Sequence, residues 1–375
     1  MSSQRALQVA QVCRIGWPHR GGMESVVGGL SSALVRRGHA VRVVTLDRAI
    51  TTGEPLPAGI YGGVPYTRLP RVGPRRYPMA RGLALALRDV DVVHVHGLDG
   101  LLHQALLARR LFRVPVGVTP HGGFLHTRRN RVAKEIWLRT GASAALRAAD
   151  AVWYTSTADK QALAGARAEG DVLPDGVDVE SFAGVVRAPE PGRWLVFGRV
   201  DVHKGLDDLI DRLGVLAKRD DVPFRLRVVG AEAAPGLVDA LMARARKHGI
   251  GHRVRFLGPV AHEDLLVELA RCELAFFPSR YEGFGVAVVE AMAAGVPVVV
   301  SDIPPHRALV DDDRTGFVVA MRRGEATRRI RALRGNVERV GAAAREAANQ
   351  HAWSSRVGDW EVAYQQVLAA RRGTA

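Results

Sequence analysis

The sequence predicts an α/β protein with two Rossmann-like domains that face each other across a cleft. Short apolar, β-rich runs alternate with helical stretches, and this alternation stops near residues 184–193 and then begins again. A chain of 375 residues is also longer than one hydrophobic core usually requires. We therefore expect two successive βαβ series, each forming a parallel sheet in its own domain.

The first series lies in a predicted domain of residues 1–186. Apolar runs without alternation are typical of strands that are covered on both faces of a parallel sheet. Helices are predicted between most of them, including GMESVVGGLSSALVRRGH and residues from about 129 to 149. The predicted strands are, in chain order, ALQVAQVCRI, AVRVVTL, DVVHVHG, VPVGVTPH and AVWYTST.

The second series follows the segment PDGVDVESFAGVVRAPEPGR, whose three prolines are typical of a linker. It is predicted to form a domain of residues 193–352. After it, an amphipathic helix over residues 353–372 is expected to pack back on the first domain. The predicted strands of the second series are WLVFGRV, FRLRVVG, RVRFLG, LAFFPS and VPVVVSD.

The composition is that of a soluble globular enzyme, with 47% hydrophobic and 24% charged residues. No apolar run approaches the roughly 18–20 residues that cross a bilayer. The start MSSQRALQVA lacks the basic and apolar regions of a signal peptide. Cys13 and Cys272 are far apart in sequence and predict no disulfide framework. These features favour a cytoplasmic protein.

The net charge of +15 is concentrated in the first half of the chain. Between Arg48 and Arg147 there are 16 basic and 5 acidic residues. Such a surplus indicates a phosphate-bearing partner, which can be nucleic acid, anionic lipid or a phosphorylated substrate. The alternative is an arginine-rich surface that is merely solvated. Aromatic content of 6% and the lack of an interleaved arginine and aromatic stripe argue against nucleic acid.

Candidate site residues follow the predicted strands, because ligands of open α/β sheets bind beyond the carboxyl ends of the strands. After WLVF, the segment GRVDVHKG places Arg199 and Lys204 just before a helix that is predicted to open at about Gly205. Two cations beside a helix N-terminus form an anion site that suits a diphosphate. The alternative is a pair of exposed surface cations.

A second candidate segment, EGFGVAVVE, begins at Glu282. Gly283 and Gly285, on either side of Phe284, allow backbone N–H groups to approach a phosphate at the start of the next helix. We expect Glu282 to face the group beyond the phosphates, and the predicted donor site includes all four residues. The alternative for Glu282 is a carboxylate that only favours the helix N-terminus.

Glu290 raises a separate question, because VAVVEAMAAG places Val, Ala and Met on every face of the predicted helix. Such a helix is normally buried on all sides, where an unpaired carboxylate costs several kcal/mol. We expect Glu290 to accept hydrogen bonds from the two hydroxyls of a ribose, as acidic residues do in Rossmann proteins. The alternative is a buried salt bridge in the core.

In the first domain, Gly21 and Gly22 allow a charged ligand to approach the backbone closely, and His121 ends a strand before two glycines. His121 is a candidate hydrogen-bonding or acid–base group, although a lone histidine is more often structural. His94 and His96 share a strand face and suggest a metal site. Since neither a carboxylate nor a third histidine lies at ligand spacing, we predict no metal.

Taken together, these segments resemble the GT-B glycosyltransferases of the large retaining family 4, which includes sucrose synthases and phosphatidylinositol mannosyltransferases. The similar segments are GGMESVVGGLSSALVRRGHAVRVVT, LPDGVDVESF, FGRVDVHKGLDDLI and EGFGVAVVE followed by AMAAGVPVVVSD. The resemblance implies a nucleotide-sugar donor in the C-terminal domain, an acceptor in the N-terminal domain, no metal and no separate cofactor. It assigns the diphosphate to Arg199 and Lys204, the ribose to Glu290 and the donor sugar to Glu282, with Gly22 and His121 completing the site.

A closer similarity is to the xanthan- and acetan-type α-mannosyltransferases, which move mannose from GDP-mannose to cellobiosyl-diphosphopolyprenol in exopolysaccharide assembly. It is visible in VHVHGLDG, TPHGGFLHT, KEIWLRT and SRYEGFGVAVVEAM with SDIPP. The resemblance implies a lipid-linked saccharide acceptor and a peripheral position on the inner face of the cell membrane. PDGVD replaces the commoner PNGVD, and HRALVDDDR lacks the usual glutamate. The candidates for contact with lipid or the acceptor diphosphate are Arg71, Arg75, Arg76, Arg128, Arg129 and Arg131.

Other interpretations have less support. A nicotinamide-dependent oxidoreductase would also have Rossmann-like domains, but WPHRGGME stands after the first strand where GxGxxG is expected. A glycosyltransferase that uses a UDP-sugar and another acceptor fits the same residues. A non-catalytic binder of nucleotide sugars is disfavoured by the presence of both glutamates, the cation pair and His121.

Overall fold

The computed structural model of the protein describes residues 5–19, 21–50, 53–75, 77–122, 131–166, 168–219, 223–320 and 336–372, and only the backbone of Arg131, Arg219 and Arg372. The chain divides into two compact units. Unit 1 consists of Met1–Gly176 and Trp353–Ala375, and unit 2 of Val177–Ala352. Each unit is an α/β structure built around its own parallel sheet.

The described strands are β1 (Gln8–Val12), β2 (Ala40–Leu46), β3 (Gly59–Tyr61), β4 (Val64–Leu69), β5 (Arg71–Val72), β6 (Met79–Ala80), β7 (Val92–His96), β8 (Val116–Thr119), β9 (Ala151–Tyr154), β10 (Asp171–Val172), β11 (Arg193–Phe197), β12 (Arg225–Val229), β13 (Val254–Gly258), β14 (Leu274–Phe277), β15 (Val298–Ser301) and β16 (Gly316–Val319). The described α-helices are α1 (Gly22–Arg36), α2 (Leu83–Ala86), α3 (Gly100–Phe112), α4 (Arg131–Trp137), α5 (Ser143–Ala148), α6 (Thr157–Ala162), α7 (Glu180–Ala183), α8 (Leu206–Arg219), α9 (Leu237–Lys247), α10 (His262–Arg271), α11 (Val286–Ala293), α12 (Pro304–Leu309), α13 (Val337–Ala348) and α14 (Trp353–Arg372).

The sheet of unit 1 has the strand order β10-β9-β8-β7-β1-β2-β4-β3. Neighbouring strands are parallel except β3 and β4, and β5 pairs with β6 in a separate ribbon. Valine-rich strands such as β7 are fully buried because helices cover both faces of the sheet. The five strands predicted for this half are all present. The sheet is larger than predicted, because it adds the edge strands β3 and β10 and the strand β4 between β2 and β3.

Helix α14 belongs to unit 1, where it buries one face at helical spacing. Glu361 on this helix accepts hydrogen bonds from Arg37 Nη2 at 2.9 Å, and it lies 2.9 Å from His39 Nε2. Arg371 Nε donates to Asp150 at 3.1 Å. The buried side chains on the inner face of α14 are Trp353, Val357, Trp360, Tyr364 and Val367.

Unit 2 has a parallel sheet with the order β13-β12-β11-β14-β15-β16. Its predicted strands are all present, and β16 adds an edge strand. The division between the units falls at Gly176, earlier than the predicted linker, because residues 177–190 pack on unit 2. Val177 N–H donates to His351 O at 2.8 Å, Phe182 is buried, and Ala188 N–H donates to Ala270 O at 2.9 Å. The proline-rich segment is therefore a strap on the second core rather than a loose linker.

Candidate functional site

In unit 2, the loop after β11 carries the two predicted cations. Arg199 is exposed, and Lys204 ends a short 3₁₀ turn, Val202–Lys204, directly before α8. Gly205 has φ +66°, and a Cβ atom there would lie 2.2 Å from Pro278 O. Only glycine fits this left-handed position against another backbone. The loop after β11 is thus packed directly on the loop after β14.

Arg280 fixes these two loops to each other. Its Nη2 donates to Asp207 at 2.8 Å, its Nε donates to Asp208 at 2.9 Å, and its backbone N–H donates to His203 O at 2.7 Å. Because the first turn of α8 carries both aspartates, the clamp holds the start of this helix. As a result, Lys204 is brought to Glu282 although the two are far apart in sequence.

Lys204 and Glu282 form a half-buried ion pair. Lys204 Nζ lies 2.6 Å from Glu282 Oε1, and the two side chains are 25% and 14% exposed. Ser279 Oγ donates to the same carboxylate oxygen at 2.7 Å. Burial alone would raise the pKa of Glu282, but the charge and hydrogen bond of Lys204, with Ser279, outweigh it and lower the pKa below its ordinary value. Glu282 is therefore an ionised acceptor held in one orientation.

Helix α11 is not buried on all sides, which answers the question raised by Glu290. Val288, Val289, Ala291, Met292 and Ala293 are buried, whereas the positions one turn apart on the remaining face are only partly buried. Glu290 lies on this partly buried face together with Val286 and Ala287, which pack in part against the core of unit 2. Gly285 caps the helix with φ +109°. Gly283 and Phe284 precede it and are also partly buried. Part of this face therefore stays accessible near the N-terminus of the helix.

His306, which the sequence patterns did not single out, lies within the electrostatic reach of this site. Its Nδ1 is 3.1 Å from Ser301 O, and Ser301 Oγ donates to Ser279 O beside Glu282. Burial lowers the pKa of His306, while the charge of Glu282 opposes that shift. Its Nε2 has no hydrogen-bond partner among the described residues. The position directly after the SDIPP turn was the signal that could have drawn attention to it.

In unit 1, Gly22 opens α1 and is exposed. A Cβ atom built on Gly22 would meet no described atom within 4 Å. Packing within the described structure therefore does not require glycine there. Open backbone at a helix N-terminus is the arrangement that allows close approach of an anion.

His121 follows β8 and adopts φ +51°, which is uncommon for a residue with a side chain. Its Nε2 lies 2.8 Å from His96 Nδ1, and its Nδ1 lies 3.6 Å from Asp175 Oδ2. Burial lowers the pKa of His121 to about 4, so the ring is neutral at pH 7. The imidazole is therefore buried, with a hydrogen bond to His96 on its Nε2 side and the Asp175 carboxyl beyond hydrogen-bond distance on its Nδ1 side.

His94 and His96 are buried with their ring centroids 4.0 Å apart. Their nitrogens are occupied by hydrogen bonds: His94 contacts Tyr364 at 2.9 Å and Thr119 at 2.7 Å, and His96 contacts Gln11 at 2.8 Å. Among the described residues no group of three or more His, Cys, Asp or Glu side chains is arranged to hold a metal. The two cysteines are buried free thiols.

The structure describes only some of the six arginines that are candidates for contact with lipid or the acceptor diphosphate. Arg71 is half-buried, with its backbone N–H donating to Asp47 at 2.9 Å, and Arg75 is exposed. Arg131 begins α4 and is described by its backbone alone. Arg76, Arg128 and Arg129 lie outside the described residues. Within the described helices, none is both long and apolar enough to cross a membrane.

Two family models match the chain in succession. The model described as Glycosyltransferase Family 4 matches residues 20–181, and the model described as Glycosyl transferases group 1 matches residues 180–345. A GDP-mannose:cellobiosyl-diphosphopolyprenol alpha-mannosyltransferase of Xanthomonas oryzae pv. oryzae is 35% identical over 319 residues, which cover 84% of this chain and 83% of the relative. The protein of the same name from Komagataeibacter xylinus is 29% identical over 370 residues, which cover 96% and 94% of the two chains.

Solved structures share the fold. Sucrose-phosphate synthase from Thermosynechococcus elongatus matches with a TM-score of 0.78 at 22% identity, over 97% of this chain and all of the other. Anabaena HepE in complex with UDP and glucose matches with a TM-score of 0.71 at 19% identity, over 98% of this chain and 100% of that one. The predicted α/β fold with two Rossmann-like domains is confirmed, and the fold and family models define a GT-B glycosyltransferase. The chain belongs to glycosyltransferase family 4.

Proposed function

We propose that the protein transfers mannose from GDP-mannose to a polyprenyl-diphosphate-linked oligosaccharide, with retention of configuration, during exopolysaccharide assembly. The observation that carries this proposal is the 35% identity to a relative named for that reaction, over more than four-fifths of both chains. The nucleotide sugar is a substrate, and no cofactor or metal is part of the proposal.

In unit 2 we assign the donor diphosphate to Arg199 and Lys204. Lys204 has three N–H donors and uses one on Glu282 at 2.6 Å, so others remain for phosphate oxygens. Charge that develops on the leaving diphosphate would be met by these cations and by the N-terminus of α11, behind Gly283, Phe284 and Gly285. This electrostatic stabilisation is the main contribution that the site makes to the rate.

The two glutamates receive different parts of the donor. Glu282 is ionised and oriented by Lys204 and Ser279, so that its free lone pairs suit hydroxyls of the sugar. Glu290 lies on the partly buried face of α11 and is assigned to the ribose hydroxyls. From unit 1, Gly22 provides backbone for close approach, and His121 is assigned to the reacting end of the donor.

The proposed place of action is the anionic inner face of the cell membrane. Val132 and Ile136, one turn apart on α4, are 74% and 58% exposed. The surrounding sequence is rich in arginine, including Arg131 and Arg139. Exposed apolar side chains among cations suit an interface with anionic lipid. The same arginine-rich region is the candidate for receiving the acceptor diphosphate.

The test is a titration with GDP-mannose, UDP-glucose, UDP-N-acetylglucosamine and GDP, followed by thermal shift and slow donor hydrolysis. We expect selective stabilisation and hydrolysis with GDP-mannose, and then transfer to a synthetic lipid-diphosphate cellobiose whose product linkage is read by NMR. Preference for a UDP-sugar would discard the mannosyl assignment and retain the roles of Glu290 and Lys204. No response to any nucleotide would overturn the donor site itself.

A further inference from the structure

A continuous chain of buried hydrogen bonds connects His121 to the C-terminal helix. Gln11 Oε1 lies 2.8 Å from His96 Nε2, and Gln11 Nε2 donates to the Tyr364 hydroxyl at 3.0 Å. The same hydroxyl lies 2.9 Å from His94 Nδ1, and His94 Nε2 lies 2.7 Å from Thr119 Oγ1. The five side chains that extend the chain beyond His121 are buried, so none exchanges these partners with bulk water.

The chemistry of the amide fixes the direction of the bonds that lead to His121. A carboxamide oxygen can only accept, so His96 must carry its proton on Nε2, facing Gln11. Its Nδ1 is then an acceptor, and the 2.8 Å contact requires that His121 donate from Nε2. As a neutral imidazole, His121 therefore has a bare Nδ1, which faces Asp175 Oδ2 at 3.6 Å.

Asp175 is the group that this arrangement leaves unsatisfied. Its side chain is 3% exposed, and its Oδ1 has no hydrogen-bond partner among the described residues. A bare imidazole nitrogen and a carboxylate oxygen repel each other unless a proton lies between them. Burial, followed by the nearby charge of Asp159, raises the pKa of Asp175 well above its ordinary value. By contrast, Asp159 accepts hydrogen bonds from Thr155 N at 3.2 Å and Thr155 Oγ1 at 3.3 Å.

We propose that Asp175 is a positioning residue that sets the tautomer of His121. With the acid protonated, its O–H faces His121 Nδ1 and the ring donates from Nε2 to His96. When Asp175 ionises, its proton passes to His121 Nδ1, the proton of His121 Nε2 passes to His96 Nδ1, and the proton of His96 Nε2 is released to solvent when the buried network opens transiently. The net change is the loss of one proton.

Gln11 then turns its amide so that an N–H donates to the bare His96 Nε2 and its Oε1 accepts from the Tyr364 hydroxyl. That hydroxyl in turn accepts from His94 Nδ1, and the Thr119 hydroxyl donates to His94 Nε2, so the proton of His94 moves from Nε2 to Nδ1. The consequence for catalysis rests on the proposed function.

The titratable groups that face this pair in the described structure are His96 and His94 on β7 and Asp159 on α6. None of these lies on the exposed surface. The neutral isostere Asp175→Asn keeps a donor toward His121 Nδ1 at every pH, because its amide N–H₂ replaces the acid O–H. Asp171→Asn is a matched control, since Asp171 is an exposed aspartate of the same unit.

The experiment is long-range ¹⁵N–¹H NMR of the full chain labelled at histidine, between pH 6 and pH 9. Wild type and Asp171→Asn should move His121 from the Nε2–H to the Nδ1–H tautomer as pH rises. Asp175→Asn should remain Nε2–H throughout, and Asp175→Ala should show a mixture. Identical tautomers and pH dependence in wild type and Asp175→Asn would overturn the inference.

Turnover gives a second readout that separates the inference from the proposed function. For wild type we expect kcat/KM to fall about tenfold per pH unit once Asp175 ionises, and Asp175→Asn should lose this alkaline limb. On the acidic side of this limb, where Asp175 is protonated, the tautomer of the Asn variant is that of wild type, so the two profiles should converge there. Suppose that the tautomers of wild type and Asp175→Asn differ as expected but their pH profiles of kcat/KM coincide. The inference that Asp175 sets the tautomer of His121 is then supported, and the proposed role of His121 in the reaction is contradicted.

Discussion

The two units carry sites of opposite electrical character. In unit 2, Lys204 and Glu282 are ionised, half-buried and paired at 2.6 Å. In unit 1, His121 is neutral and surrounded by a buried chain of uncharged hydrogen-bonding groups. A charged site suits binding and release of a diphosphate, because fixed cations stabilise negative charge wherever it develops. A neutral buried network is suited to holding one side chain in one orientation.

This contrast predicts that the two units lose stability at different pH as the solution is acidified. We expect this difference to be the largest of the effects predicted below. Burial lowers the pKa of His94 and His96 well below the ordinary value and that of His121 to about 4. Because the unfolded chain binds these protons first, the stability that they contribute is present above about pH 6.5 and is lost as pH falls toward 4. In that window, each buried histidine lowers the free energy of unfolding by about 1.4 kcal/mol for every unit by which the pH falls. The raised pKa of Asp175 acts with the opposite sign and offsets part of the loss.

In unit 2, burial also lowers the pKa of His306, so this one histidine loses stability in the same window as the three of unit 1. The lowered pKa of Glu282 places its loss of stability at lower pH, below the ordinary carboxyl range. Hydrogen exchange by mass spectrometry at pH 7 and pH 5, corrected for intrinsic rates, resolves the two units. We expect peptides from β7 and β8 to lose protection before those from β14 and β15. Equal losses in both units would contradict the assignment of neutral histidines to unit 1. Asp175→Asn should make the loss in unit 1 steeper.

Lys204→Ala tests the charged side of the comparison. We expect turnover to fall tenfold or more, because a charge-assisted contact of about 1.5–3 kcal/mol is removed from the diphosphate. Lys218→Ala is the matched control, since Lys218 is an exposed lysine on α8 of the same unit. Steady-state kinetics with the preferred donor measures both variants. Wild-type turnover in Lys204→Ala would remove the diphosphate assignment.

The proximity of Lys204 and Glu282 follows from loops that sequence could select, whereas the neutral network could not be predicted. Arg199, Lys204 and Glu282 follow predicted strands, where ligands of such sheets bind. Glu290 was selected differently, as the one carboxylate in an apolar helix, and the roles of all four toward a ligand stay predictions. His121 was selected by the same rule, but its surroundings come from Gln11, Asp175 and Tyr364. Such contacts depend on three-dimensional packing that no local pattern encodes.

The same limit applies to the fold. Apolar, valine-rich strands are predicted by their composition, whereas β4 contains a proline and an arginine, which are untypical of a buried strand. The strap of residues 177–190 has the prolines of a linker, yet the burial of Phe182 and the bond from Arg187 Nη2 to Cys272 O at 2.6 Å fix it on unit 2. His306 was missed because an isolated histidine has no spacing signal of its own, and only its position after SDIPP marked it.

Glu290→Ala should weaken nucleotide binding more than turnover. Loss of the ribose hydrogen bonds to a carboxylate is expected to reduce GDP affinity by about tenfold or somewhat more. Glu263→Ala, at an exposed glutamate of α10, is the control. Calorimetric titration of GDP measures the difference. Retained affinity would indicate that Glu290 serves the structure of unit 2 instead of the donor.

Gly22→Ala should have the smallest effect on stability and separates ligand approach from packing. A Cβ atom at Gly22 meets open space, so the free energy of unfolding should change by less than about 0.5 kcal/mol. Gly205→Ala is the contrasting variant, because its Cβ would lie 2.2 Å from Pro278 O at φ +66° and should cost about 1–3 kcal/mol. Denaturant titration and donor turnover are measured on both.

If Gly22→Ala is as stable as wild type and transfers sugar more slowly, the space beside Gly22 is used by a ligand. If it is stable and fully active, that space has no role in the reaction, and unit 1 contributes through His121 instead. A loss of stability as large as that of Gly205→Ala would mean that glycine is required for packing at both positions. The backbone at Gly22 in unit 1 and at Gly205 in unit 2 would then be equally intolerant of a Cβ atom, despite the open space beside Gly22.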